Sequence, residues 1–156
     1  MRIKRFFIIT TFFLTWVTLG LYLAQNESPT FDEPVHLKAG IQYQHGNFEF
    51  DPIEPPLLRR LAVTFTVASP RLTTIVLTGV LAATLILLTA HSFSGILLAG
   101  LLLLTEPNLV AHSHYLTTDA VSAFATVLAA LLILRRYWQT SAQLIILGLV
   151  IGFAAS

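Results

Sequence analysis

A succession of apolar runs, cut by polar breaks, constrains what this chain can fold into more than any other feature. A helix crossing the hydrocarbon core of a bilayer needs about 20 apolar residues, because every backbone N–H and C=O there must be bonded within the segment. Runs of this character occupy 6–23, 72–90, 93–104, 120–134 and 141–156. The chain is 55% hydrophobic and only 11% charged, against roughly a quarter charged in soluble domains. The expected fold class is therefore an all-α membrane protein. It would be a multi-span bundle of about five transmembrane helices, with an amphipathic interfacial helix in the first outer loop.

The first run follows Arg2, Lys4 and Arg5, a basic start that a secretory signal would share. A signal's apolar region is about 7–15 residues long and is followed by a small-residue cleavage site. This run is longer, and Tyr22-Leu23-Ala24-Gln25 is a poor site, so an uncleaved anchor is expected. The fifth run is still apolar at Ser156, as expected of a truncated protein. The chain contains no cysteine, so neither a disulfide framework nor a thiolate metal site can form.

Basic residues near span ends mark the cytoplasmic side. With Arg2, Lys4 and Arg5 inside, alternation puts 24–71 outside, 91–94 inside, 105–119 outside and the Arg135-Arg136 pair inside. Both basic clusters then share a side. The expected location is a multi-pass protein of the plasma or inner membrane with a cytoplasmic N-terminus. All eight acidic residues fall in the two outer segments: Glu27, Asp32, Glu33, Glu49, Asp51, Glu54, Glu106 and Asp119. Acids weigh little in topology, so their segregation calls for another cause, and an outward-facing acidic site is the simplest. The small-residue pairs Gly79/Ala83 and Gly148/Gly152 are spaced four apart, as close helix packing in a bilayer requires.

Within the outer segment, Thr30 and Glu33 have capping-box spacing, and acids in a first turn suit the helix dipole. Pro34 is tolerable only near a helix start. A helix is predicted from there to about His45, stopped by Gly46. Phe31, Val35 and Ile41 would form its apolar side. Asp32 and Glu33 serve such a helix as simple caps, or they carry chemistry. His36 lies four and three residues on, so all three can share one face. Asp119 follows Thr117-Thr118 at the start of the fourth run and has the same two readings, cap or site. An ionisable group at a membrane boundary costs free energy that a cap alone does not require.

His112 and His114 flank Ser113, and in an extended segment residues two apart face the same side. With Glu106 or Asp119 they have the ligand types of a divalent-metal site, although the spacing is no strong signature and ordinary interfacial histidines are the alternative. Arg59, Arg60 and Arg71 interrupt the positive-inside trend. They either pair with a phosphate or snorkel beside headgroups.

Thr30-Phe31-Asp32-Glu33-Pro34-Val35-His36, Ala39-Gly40, Tyr43, Gly46-Asn47-Phe48 and Pro55-Pro56-Leu57 together resemble the first outer loop of the protein O-mannosyltransferase and aminoarabinose transferase superfamily. Pro107, Ala111-His112 and Leu116-Thr117-Thr118-Asp119-Ala120 are similar to that family's second acidic motif. Order and spacing across the spans also agree, and the resemblance covers about residues 5–156. It implies the glycosyltransferase C fold, of which 1–156 would be the N-terminal part, with further spans beyond. It also implies transfer of a sugar from a polyprenyl- or dolichyl-phosphate donor to a hydroxyl of an acceptor protein or lipid, with inversion at the outer membrane face.

The resemblance makes Asp32 the catalytic carboxylate, Glu33 its acidic neighbour and Asp119 the second-motif aspartate. Substrate contacts would fall to His36, Glu54, Arg59, Arg60, His112 and Thr118. One departure stands out: many members carry an acid followed by His or Lys just before the double proline, and here Ile53-Glu54 occupies those places. No nucleic-acid partner is expected, and no cofactor beyond the divalent metal already weighed. The chemistry needs a base opposite the leaving phosphate, for which Asp32 is the candidate, and positive charge on the phosphate, for which Arg59 and Arg60 are candidates. Asp119 would orient the acceptor. The rival readings are a transporter fragment with an outward-facing acidic site and a purely structural membrane protein.

Overall fold

The computed structural model describes residues 2–50, 56–65 and 70–155. Among them are eight helices and no strand: α1 (Arg2–Asn26), α2 (Glu33–Gln44), α3 (Leu57–Phe65), α4 (Pro70–Thr89), α5 (Phe93–Thr105), α6 (Pro107–His114), α7 (Asp119–Leu134) and α8 (Ser141–Ala154). The chain is an all-α membrane helical protein. Each of the five apolar runs is a helix, and the expected ends are met within a few residues.

Length separates these helices. At 1.5 Å per residue, α1 and α4 reach about 37 and 30 Å, enough for a hydrocarbon core of about 30 Å. Among the described residues they are the two helices long and apolar enough to cross a membrane. Helices α7 and α8, with 16 and 14 residues, are shorter apolar helices of about 24 and 21 Å. Helix α5 is continued by α6 after a 69° bend, and the pair is either one broken span or a re-entrant loop. Pro107 begins α6, and the Glu106 side chain caps it by accepting the Leu109 N–H at 2.6 Å. The expected extended segment around His112 is thus a helix.

The core forms where α1, α4, α5 and α7 meet, around Phe12, Trp16, Ile75, Ala82, Ile86, Ile96 and Phe124. Trp16 stands edge-on to Phe124 at 6.0 Å and donates its indole N–H to Thr78 Oγ1 at 3.2 Å. That bond satisfies two polar groups inside an apolar bundle. Gly79 allows α1 to approach α4, since a Cβ there would lie 3.0 Å from Trp16 and 3.1 Å from Phe13. The Gly148/Gly152 pair behaves differently: a Cβ at either position meets nothing within 4 Å among the described residues. A smaller apolar cluster of Leu128, Leu132 and Leu147 joins α7 to α8.

The segment 24–71 holds two helices where one was predicted. Helix α2 ends as expected at Gly46, whose φ of 79° is left-handed. Gly46 N–H bonds Tyr43 O at 3.2 Å and Asn47 N–H bonds Gln42 O at 3.0 Å, closing the helix end in the Schellman pattern. Helix α3 packs on α2 so closely that a Cβ on Gly40 would come within 2.6 Å of the Arg59 carbonyl oxygen. Phe31, Val35 and Ile41 are exposed, as an interfacial helix requires.

Candidate active site

Two polar segments far apart in sequence meet at one end of the bundle, and Glu33 joins them. Its Oε1 accepts from Arg71 Nε at 2.9 Å and from the Leu116 N–H at 2.7 Å. Its Oε2 accepts from Arg71 Nη2 at 2.5 Å and from the Thr30 N–H at 3.1 Å. All four lone-pair positions of the carboxylate are filled, and the side chain is only 6% exposed. Burial by itself would push this carboxyl up. The Arg71 guanidinium and the Leu116 and Thr30 N–H groups outweigh that and hold it below the usual carboxylate value.

Arg71 sits at the start of α4, and its side chain is largely buried. Besides the fork to Glu33, its Nη1 donates to the carbonyls of Ala24 and Glu27 at 2.8 and 3.1 Å. Those carbonyls lie at the C-terminal end of α1, where helix oxygens lack partners and positive charge is favoured. The guanidinium also lies 5.2 Å from the Tyr115 ring centroid.

A second tether runs beside the first. The His114 ring places Nδ1 2.8 Å from the Val110 carbonyl and Nε2 2.9 Å from Glu27 Oε2, and the side chain is 1% exposed. The Tyr115 hydroxyl donates to the same carboxylate oxygen. That bond foremost, then His114, holds the Glu27 carboxyl below its usual range, and it pushes the Tyr115 hydroxyl up. On helix α6, residues two apart point to different sides, so His112 and His114 separate and do not form a pair. Among the described residues no group of three His, Asp or Glu side chains is arranged to hold a metal ion.

Asp32 and Asp119 remain exposed at this end, 53% and 68% respectively. Asp32 is the N-cap residue of α2 and Asp119 is the first residue of α7, after the N-cap Thr118. Neither Asp32 nor Thr118 makes a side-chain cap bond. Each aspartate instead faces an imidazole: Asp32 Oδ2 lies 3.3 Å from His36 Nε2, and Asp119 Oδ2 lies 3.3 Å from His112 Nδ1. Asp32 also accepts from the Thr30 hydroxyl at 2.7 Å. That bond, with His36 contributing, keeps its carboxyl below the usual value. The Glu33–Leu116 bond brings the two aspartates to the same end, since Asp32 precedes Glu33 and Asp119 opens α7 three residues after Leu116.

Arg59 is buried and Arg60 is exposed on α3. Glu54 lies outside the described residues. Sequence reading counted Glu27 only among the acids, left Tyr115 unassigned, and gave Arg71 and His114 no partner within the chain. The four are brought together by contacts across 44 to 88 positions of the chain, and local spacing carries no signal of such contacts. Set against protein-family models, curated proteins and solved structures, the chain has no match in any of the three.

Proposed function

We propose that this chain forms the first spans of a membrane glycosyltransferase that moves a sugar from a polyprenyl-phosphate donor to an acceptor hydroxyl, with inversion, at the outer membrane face. The observation that carries the reading is the pair of exposed aspartates, each at a helix start and each beside an imidazole, above a buried carboxylate clamp. Asp32 is the general base: ionised, open to an acceptor, and oriented by Thr30 and His36. Asp119, oriented by His112, positions the acceptor, with Thr118 next to it. Glu33 acts as a positioning residue, because its oxygens are all occupied. Of the two arginines on α3, the exposed Arg60 suits the donor phosphate, and Arg59 supports the α2–α3 packing. The multi-pass arrangement with a cytoplasmic N-terminus belongs to this proposal, with α7 and α8 crossing alongside the longer spans.

The test is sugar transfer in membranes containing the product of the complete reading frame. Asp32→Asn keeps the residue's size and removes the base, and transfer should fall by about 10²–10⁴-fold at unchanged expression. Transfer at the parental rate would return Asp32 to a helix-start role. A second reading draws on the 69° break between α5 and α6, since broken helices are how transporters bring polar groups to membrane depth. Solute uptake into proteoliposomes that is lost with Glu106→Gln, but kept with Asp32→Asn, would favour it.

A further inference from the structure

A cavity of about 370 Å³ opens where the end of α1 meets the starts of α2 and α4. Ala24, Leu37 and Leu116 contribute apolar wall, and Glu27, Glu33 and Arg71 its polar part. Asn26 and Pro70 end the two membrane-length helices, so the cavity lies at the level of lipid headgroups.

The polar part is incompletely used. Glu33 is saturated, as described above. Both bonds to Glu27 fall on Oε2, and Oε1 takes none among the described residues. Arg71 has five N–H groups. Four are spent, on Glu33 twice and on the carbonyls of Ala24 and Glu27, leaving one on Nη2 among the described residues. The wall thus offers one charged acceptor and, beside it, one charged donor, above an apolar slot.

The geometry points to a binding site for a membrane lipid whose headgroup carries a primary ammonium beside a phosphate. The ammonium donates to Glu27 Oε1, the phosphate accepts from Arg71 Nη2, and the tails leave along the apolar wall. A quaternary ammonium has no N–H to donate, and a purely anionic headgroup faces the Glu27 carboxylate unfavourably. This inference does not depend on the glycosyltransferase reading, and its readout is lipid retention, not transfer.

The full chain, purified and stripped of lipid in detergent, is titrated with phosphatidylethanolamine, phosphatidylcholine or phosphatidylglycerol, and adducts are counted by native mass spectrometry. Phosphatidylethanolamine should be retained about tenfold more strongly than the other two, the worth of one hydrogen bond to a charged group. Glu27→Gln should erase its advantage over phosphatidylcholine. Because that change also touches the His114 and Tyr115 bonds, Leu37→Trp serves as a second variant: it fills the slot and leaves those bonds in place. It should abolish the retained adduct at unchanged helix content. Equal retention of the three lipids would overturn the site, as would a preference for phosphatidylglycerol. A phosphatidylethanolamine preference that survives Leu37→Trp would overturn it too.

Discussion

At the scale of single residues, Arg71 and Glu33 are the pair on which this end of the molecule depends. A buried ion pair gains little over an apolar replacement, but removing one partner strands the other charge. Arg71→Met should therefore destabilise the protein by about 3–5 kcal/mol, measured as unfolding in mixed detergent micelles. Glu33→Gln should cost less, because an amide oxygen still accepts from Leu116 or Arg71. The pH dependence follows from the depressed carboxyl value of Glu33. A group whose folded value lies below its unfolded value stabilises the fold above the unfolded value. That contribution is whole above about pH 4.5 and is lost as pH falls from there through the depressed value. Glu33→Gln should flatten this part of the stability profile, and a profile identical in both proteins would exclude Glu33 as the titrating group.

At the scale of elements, helix ends reveal where the backbone is strained. Helices α2 and α7 finish with the same hydrogen-bond pattern. At α7, Arg136 N–H bonds Ile133 O and Tyr137 N–H bonds Leu132 O, both at 2.9 Å. At α2 the left-handed position is Gly46, whereas at α7 it is Arg136, with φ of 54°. A side chain in that conformation costs roughly 1–2 kcal/mol. Arg136→Gly should recover about 1 kcal/mol of stability, read from the same unfolding assay. A destabilised glycine variant would show that the arginine makes a compensating contact. Gly46→Ala is the mirror experiment and should cost a similar amount.

At the scale of the whole molecule, the segments 24–71 and 105–119 are held at one end by Glu33–Leu116 and Glu27–His114. The proposed orientation predicts that Gln44→Cys reacts with a membrane-impermeant maleimide in intact cells. Trp138→Cys, beside Arg135 and Arg136, should react only after permeabilisation. Labelling of both without permeabilisation, or the reverse pattern, would move the candidate site to the wrong face for an outer-leaflet donor.

The helices themselves were legible in the sequence. The runs 72–90, 93–104 and 120–134 became Pro70–Thr89, Phe93–Thr105 and Asp119–Leu134. Helix formation in an apolar environment is a local matter, in which hydropathy sets the length and each N–H bonds four residues back. The stop at Gly46 was legible for the same reason, since its conformation belongs to one residue. Helices α3 and α6 were not: their short polar-apolar mixtures become helical by packing, α3 on α2 and α6 beneath the ends of α1 and α4. Only the tertiary structure decided which acids are available. Glu33 and Asp32 are neighbours with the same sequence credentials, yet one is buried beneath Arg71 and the other is open beside His36. The partners of Glu27 were not legible because they stand 87 and 88 positions away. Side-chain partnership depends on which surfaces meet, and that is set by the packing of the bundle, not by spacing along the chain.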